Sequence, residues 1–463
     1  MRAIRWIYIL LALYLPFESY IAAWLIKSET GVLLAKQVSD GVIILTFLAF
    51  LFLSTAGGQA KYRDICPGCL PLVLFFSFFS VMTTAWNGGD ILVGVLQVKA
   101  TMRYVLVAYV VANVGFSSRQ MGLFFRFFTI AVMVNLGLAS IQVLFPSIAA
   151  SFNPYGFIGQ NQSGALVSTS QMEGGSAGVA FGAALNTIEF AFLLAAWWIA
   201  YAGAGIPNGR NQLALSLIWL APVAIFVFLS DSKIAFLALM LSAYLHFARI
   251  LSGHALRILN SSIAFMATAG AFALLIELGI VELPDTGFLS FLSGDYIEIA
   301  KLQRLGIVTT YLEMIESFSG DILLGLGGDP IRTVKILESQ GYRLPYLLMF
   351  SPASIEDVYW VAIFIFYGLI GAGAMFLALG KLFVRTALLS RGARVLEVAR
   401  LNAAVANLLV FIFVTGIMNQ ILEVKQFSFY FWFLVGYARF IACNIDRDST
   451  AARLQETAGK RSA

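Results

Sequence analysis

Long apolar stretches alternate with short polar breaks along this chain, and about 20 apolar residues in helical form span the hydrocarbon of a bilayer. The pattern predicts an all-α polytopic membrane protein with roughly twelve crossings. They run from Trp6 to Ile26, Gly41 to Leu53, Leu70 to Trp86, Ile91 to Gly115, Met121 to Phe145, Gly178 to Tyr201, Leu213 to Leu229, Ile234 to Leu251, Ile258 to Val281, Val358 to Phe383, Asn402 to Leu422 and Phe427 to Cys443. The breaks are short except at 146–177 and 282–357, and a polar tail at 444–463 is expected to be disordered.

Composition agrees. Of 463 residues, 60% are hydrophobic and 12% charged, too few charges for a soluble globule of this size. The first apolar run outlasts a secretory h-region and reads as a retained helix. With the amino terminus cytoplasmic, Arg2, Arg5, Lys61, Arg63, Lys381, Arg385, Arg439 and most other Lys and Arg fall inside, where only Asp64, Glu397, Asp446, Asp448 and Glu456 join them. Both termini are then cytoplasmic and the long segments 146–177 and 282–357 lie outside. The net charge of +5 follows from this topology and does not imply nucleic acid.

The 282–357 segment is too long for a structureless connection and predicts helices of its own. Asp295, Glu298, Lys301 and Arg304 recur every three residues beside Ile299, Leu302, Leu305, Val308, Leu312 and Ile315, the pattern of an amphipathic helix on the membrane surface. A breaker follows at Gly325-Leu326-Gly327-Gly328-Asp329-Pro330, then a polar helical piece from Ile331 to Ser339. The breaker is no Walker sequence, because no Gly-Lys-Ser/Thr follows, and its glycines read as a turn.

Cys66-Pro67-Gly68-Cys69 has redox or zinc spacing but neither a third and fourth ligand nor a βαβ setting, so it reads as a turn with reduced thiols. The 2 histidines, His246 and His254, both sit at the cytoplasmic end of the eighth crossing, which removes histidine chemistry from the outer face. A base there must be a carboxylate, Tyr, Lys or bound water.

Charges in apolar surroundings are the remaining candidates, since each costs about 2.5–3.5 kcal/mol or more at the bilayer centre. Lys99 and Arg103, four apart on one helical face, form either an anion-binding pair or a snorkelling interfacial end. Asp231 and Lys233 sit in the tight turn Ser230-Asp231-Ser232-Lys233, and Glu189 and Glu277 read as structural acids rather than a proton path. The 282–357 segment carries Arg304, Arg332, Lys335 and Arg343, then Glu356 and Asp357 directly before Tyr359 and Trp360, which places carboxylates and aromatics beside cations suited to phosphate.

This arrangement resembles the bacterial O-antigen polymerase and O-antigen ligase superfamily of integral membrane glycosyltransferases. The likeness rests on the many-spanning chain, the Arg103-Tyr104 step within Lys99 to Tyr109, the Ser230 to Lys233 turn, and the late outer segment from Arg304 through Gly325 to Gly328 to Asp357-Val358-Tyr359. Tyr367-Gly368-Leu369-Ile370-Gly371 follows in the next helix.

The resemblance implies a GT-C-like fold in the bacterial inner membrane and a polyprenyl-diphosphate-linked oligosaccharide as substrate, used without cofactor, metal or nucleotide sugar. Membrane lipid, a chain-length regulator and a flippase are the implied partners. By the same resemblance Arg304 engages the diphosphate; the chemistry of the residues adds Arg103, Lys99, Lys233, Arg343, Arg332 and Tyr359 in support, and Asp357 or Glu356 as the base that serves the acceptor. Glu356 and Asp357 stand where ligases commonly carry a histidine, which favours polymerase over ligase. A ligase, and a flippase or transporter, remain the alternatives.

Overall fold

A computed structural model describes residues 1–26, 29–56, 63–145, 157–160, 166–168, 182–184, 187–204, 212–230, 232–250, 295–317, 320–345, 348–349, 352–393 and 395–462. Side chains are described in these except at 23–36, 56, 157–160, 166–168, 212–213, 233, 295–303, 353 and 445–462. In chain order the helices are α1 (Arg2–Tyr14), α2 (Glu18–Ile26), α3 (Glu29–Ala56), α4 (Cys69–Trp86), α5 (Ile91–Met102), α6 (Val105–Val114), α7 (Ser118–Leu144), α8 (Thr187–Gly203), α9 (Gln212–Leu229), α10 (Lys233–Ile250), α11 (Asp295–Ser317), α12 (Gly320–Leu324), α13 (Pro330–Ser339), α14 (Tyr359–Gly392), α15 (Leu396–Thr415) and α16 (Lys425–Ser462). Short 3₁₀ turns at Leu15–Phe17 and Pro352–Asp357 precede α2 and α14. Strands β1 (Phe157–Gln160) and β2 (Leu166–Ser168) pair antiparallel, a small departure from an all-helical chain that suits their β-branched and apolar residues.

Local chemistry sets the helix starts. Asp90 accepts from Leu92 N at 2.8 Å to cap α5, Ser117 and Gln120 form a reciprocal capping box on α7, and Asp329 accepts from Ile331 N and Arg332 N with Pro330 in the first turn of α13. Among the described residues, six helical segments are long and apolar enough to cross a membrane: Arg2–Ala22, Gln37–Thr55, Cys69–Trp86, Ser118–Leu144, Tyr359–Gly392 and Leu396–Thr415. The pair α5 and α6 makes a seventh if its 49° bend at Arg103-Tyr104 lies within one span, and α8, α9 and α10 are apolar but shorter. The ninth sequence-predicted crossing, 258–281, lies outside the described residues. The eleventh ends early, at Thr415, where Gly416 leads into an irregular connection that reaches Lys425. The last helix runs on past Cys443 to Ser462, and the Ala, Arg, Glu and Gln of that tail are good helix formers.

Inside a bilayer, lipid is as apolar as Leu, so close packing rather than water exclusion holds helices together. Small residues permit it. A Cβ on Gly436 of α16 would fall 2.8 Å from Val111 of α6, and one on Gly203 of α8 would fall 2.8 Å from Ala404 of α15. Phe124 and Phe128 of α7 stack on Phe433 and Tyr430 of α16 at ring-centroid distances of 3.8 and 3.5 Å.

Helix α11 packs on α14 through Tyr311 and Phe364, stacked at 5.7 Å, and buries Ile307, Thr310 and Met314. Leu305, Leu312 and Ile315, which the sequence pattern assigns to the apolar face, stay exposed. In lipid surroundings an apolar stripe need not face protein.

Helix α14 is broken at Gly368, whose φ of +58° and ψ of −174° only glycine adopts readily. The break frees two carbonyls, and the glycine turn after α12 takes them: Leu326 N donates to Ile365 O at 2.9 Å and Gly327 N to Phe366 O at 2.7 Å. Gly328 N donates to Thr84 Oγ1 at 2.8 Å, which ties the same turn to α4. A Cβ on Gly368 would collide with Leu323 O, and one on Gly325 with Phe366 O. Gly368→Ala is therefore expected to destabilise by about 1–3 kcal/mol for the backbone conformation and a similar amount for overpacking. The check is the thermal midpoint of the detergent-solubilised protein, with Gly373→Ala as comparison, since a Cβ there meets nothing within 4 Å. Equal midpoints for the two variants would refute the account.

Connections that the sequence pattern assigns to one side of the membrane meet at one end of the bundle. Arg332 Nε donates to Asn87 O at 2.9 Å, and Gln420 reaches Glu356. Arg5, Arg63 and Arg439 gather elsewhere, on Val114 O, Asn113 and Asp64 O. Nearby, the Pro67-Gly68 turn, with Gly68 at φ 74°, folds Cys66 and Cys69 toward each other, with Cα atoms 5.3 Å apart.

Candidate functional site

Asp40 of α3, 1% exposed, is the centre of a charge network. Lys99 Nζ and Arg103 Nη1 each lie 2.9 Å from its Oδ2, and Lys425 Nζ lies 3.4 Å from its Oδ1 and 3.2 Å from Glu18 Oε2. The short 3₁₀ segment that contains Pro16 leads directly into Glu18 at the start of α2. The bend between α5 and α6 turns Arg103 toward α3, with its guanidinium over the Tyr104 ring at 4.9 Å. Lys99 and Arg103 thus already hold an acid between them, and that acid is the protein's own.

A second cluster adjoins the first. Gln97 Nε2 donates to Glu356 Oε1 at 2.9 Å and lies 3.4 Å from Glu423 Oε1, while Gln420 Nε2 donates to Glu356 Oε2 at 2.6 Å. Thr101 Oγ1 donates to Glu423 Oε1 at 3.3 Å, and Arg103 Nη2 donates to the Glu423 carbonyl at 3.0 Å, which joins the two clusters through one guanidinium. The 3₁₀ turn supplies Glu356, the Gly416 to Val424 connection supplies Gln420 and Glu423, and α5 supplies Gln97 and Thr101.

Burial, then the charges of Glu423 and Asp357, hold the Glu356 carboxyl well above its usual range. Burial pushes Glu423 up to about 7 against the pull of Arg103. Asp357 is pushed up to about 6 by burial, and the nearby Arg304 charge limits the rise. At neutral pH this end of the protein therefore holds acids on both sides of their titration, beside cations. That is the equipment for moving a proton near a negatively charged group.

Of the sequence-predicted site residues, Glu356, Asp357, Arg304, Lys99, Arg103 and Tyr359 come together here. Tyr359, 1% exposed, begins α14 and feels the charges of Glu423 and Glu356. Arg332 does not join them, since its side chain braces the turn between α4 and α5. Arg343 contributes its backbone to α11, where Thr310 Oγ1 donates to its carbonyl at 2.8 Å and its amide reaches Glu313. The side chain of Lys233, and all of Asp231, Glu277 and His254, lie outside the described residues. His246 is buried against Trp198 and Phe247, away from these clusters, and Glu189 accepts from Gln426 at 3.0 Å. Among the described residues no three His, Cys, Asp or Glu side chains are grouped to hold a metal.

Sequence reasoning missed Glu18, Asp40, Gln97, Gln420, Glu423 and Lys425. One signal for them existed: Asp40 stands at the edge of the second crossing, and Glu423 and Lys425 flank the start of the last, all in connections assigned to the same side. No protein-family model matches this chain and no curated protein matches it, so the case for its function rests on the site itself.

Proposed function

We propose that the protein polymerises polyprenyl-diphosphate-linked oligosaccharide repeat units into O-antigen or exopolysaccharide at the periplasmic face of the bacterial inner membrane. The observation that carries this reading is the meeting of Arg304 with Asp357, and of Glu356 with Glu423, at one end of an apolar helical bundle. A sugar on diphosphate already has a good leaving group. The protein must neutralise the charge that develops on it and position an acceptor hydroxyl near a base. Arg304 suits the first task through its fixed fork of donors, and the carboxyls suit the second.

Topology supports the same reading. The acids and Arg304 belong to connections that the Lys/Arg bias assigns to the outside, and Arg5, Arg63 and Arg439 to the inside.

A flippase or transporter is the second reading, favoured by the broken helix at Gly368 and the bend at Arg103, since interrupted helices often frame transport sites. Against it, the carbonyls freed at Gly368 are taken by Leu326 and Gly327 of the protein itself.

Purified protein incubated with a lipid-linked oligosaccharide should yield longer chains. Unchanged donor would refute the polymerase reading. In a deletion strain, single repeat units at the surface are expected, whereas full-length chains left on carrier lipid would favour a ligase and precursor trapped on the cytoplasmic leaflet a flippase.

A further inference from the structure

We propose that Glu356 and Glu423 work as one unit, a carboxyl pair holding a single proton between them, and that this pair, rather than Asp357, takes the proton of the acceptor hydroxyl. The inference rests on the polymerase reading and assigns within it a residue, Glu423, that the sequence did not bring forward.

The geometry carries the argument. One donor, Gln97 Nε2, faces both carboxyls, at 2.9 Å from Glu356 Oε1 and 3.4 Å from Glu423 Oε1. Glu356 is buried, and two carboxylates sharing a donor in a site largely closed to water repel unless one of them is protonated.

A second observation points to a missing partner. Tyr359, 1% exposed, lies beside Thr101 and faces both acids, yet its hydroxyl makes no well-formed hydrogen bond. A buried hydroxyl left so is costly, and a sugar hydroxyl arriving between it and the pair would satisfy it.

The surroundings divide the roles. Facing Glu356 are Glu423, Asp357, Gln97, Gln420, Tyr359 and Tyr367, none of them a cation. Glu423 faces Thr101, Gln97 and the two tyrosines, with the Arg103 guanidinium on its backbone carbonyl and a charge that favours its ionised form. Glu423 is therefore the carboxylate of the pair and Glu356 the acid. Asp357 differs from both because Arg304 lies near it, which suits it to hold that arginine in place for the diphosphate.

In the reaction, the acceptor O–H proton passes to the Glu423 carboxylate as the acceptor oxygen bonds to the anomeric carbon. The bond from that carbon to the diphosphate oxygen breaks, and its electron pair leaves with the diphosphate on the carrier lipid. The proton held by the pair is then lost to water, which restores the starting state.

The test uses the full-length purified protein as wild type, Glu423→Gln, Glu423→Asp and Glu356→Gln. Elongation of a lipid-linked oligosaccharide is followed against pH, and the infrared carbonyl band of protonated carboxyls is titrated in parallel. Glu423→Gln should slow elongation about 100-fold or more at every pH, with partial recovery in Glu423→Asp. In the infrared, the wild type should hold one protonated carboxyl at neutral pH that Glu423→Gln loses, because Glu356 ionises more easily without its neighbour's charge.

Glu356→Gln keeps a neutral partner and should move the pH profile more than the maximal rate. An elongating wild type whose Glu423→Gln variant keeps its rate within about threefold, against that 100-fold expectation, would overturn the proposal and leave the polymerase reading standing. A wild type that elongates nothing would overturn the polymerase reading and the base assignment with it, while the infrared titration decides the shared proton by itself. Should Glu423→Gln fail to fold, the wild-type infrared titration and the Glu423→Asp rate still decide, and a wild type with no protonated carboxyl at neutral pH would overturn the pair.

Discussion

Elongation should fall about 100- to 1,000-fold in Arg304→Ala, the usual result of removing one preorganised donor from developing negative charge. Two effects act together. The diphosphate loses its charged fork, and Asp357 loses the cation that limits the rise of its carboxyl, so it should titrate above about 6. Arg304→Lys should recover part of the rate, because it keeps the charge and loses the bidentate geometry.

The sign of the pH effect follows from the same group. Asp357 in the folded protein titrates above its ordinary 3.8, so its contribution to stability is complete below that pH and is lost as pH rises through about 6. In Arg304→Ala that loss should extend to higher pH. A ladder of products from Arg304→Ala at wild-type rate, with the variant folded and inserted, would rule out the role given to this arginine.

Asp40→Ala should be the most damaging substitution for folding. It removes the carboxylate that Lys99, Arg103 and Lys425 share and, among the described residues, leaves three cations with Glu18 as the acid ion-paired to one of them. Breaking a buried ion pair by removing one partner costs about 3–5 kcal/mol, a large part of the roughly 5–15 kcal/mol that holds a typical domain together. Loss of folded protein from detergent extracts is the expected result, read by size-exclusion chromatography and thermal unfolding. Asp40→Asn should be nearly as severe despite its matching shape, because the missing quantity is charge. Lys99→Met should be milder, since Lys99 is 24% exposed and Arg103 and Lys425 keep Asp40 neutralised. Wild-type midpoints for both Asp40 variants would show that the network contributes little to stability.

How much of this was legible in the sequence depends on the range of the interaction involved. Apolar run length gave helices near the expected places for most crossings, and the turn at Gly325 to Gly328 followed from local glycine chemistry. Arg304, Glu356 and Asp357 stood out because they cluster within one long segment.

Asp40 and Glu423 did not, because each is a lone acid at the edge of an apolar run, where a solvated interfacial charge is the ordinary occupant. Their partners are remote in sequence: Arg103 reaches Asp40 across 63 positions and Thr101 reaches Glu423 across 322. Arg332 is the reverse case: its charge suggested a ligand, and what the structure shows is its side chain bracing a turn. Helix α11 presents two apolar faces: Leu305 and Leu312, in the stripe that the pattern assigns to the membrane surface, stay exposed, while Ile307 and Met314 face protein. A hydropathy pattern cannot tell a lipid-facing stripe from a protein-facing one.

The backbone joint between the Gly325 turn and α14 has a bearing on which mutations this region can absorb. Its hydrogen bonds run from the amides of Leu326 and Gly327 to the carbonyls of Ile365 and Phe366, and none depends on a side chain. Substitutions at Leu326, Ile365 or Phe366 that conserve volume leave the joint in place, whereas Gly325, Gly327 and Gly368 accept none without a collision. A saturation library across the two segments should therefore show three intolerant columns, at Gly325, Gly327 and Gly368, beside columns that accept apolar residues of similar size.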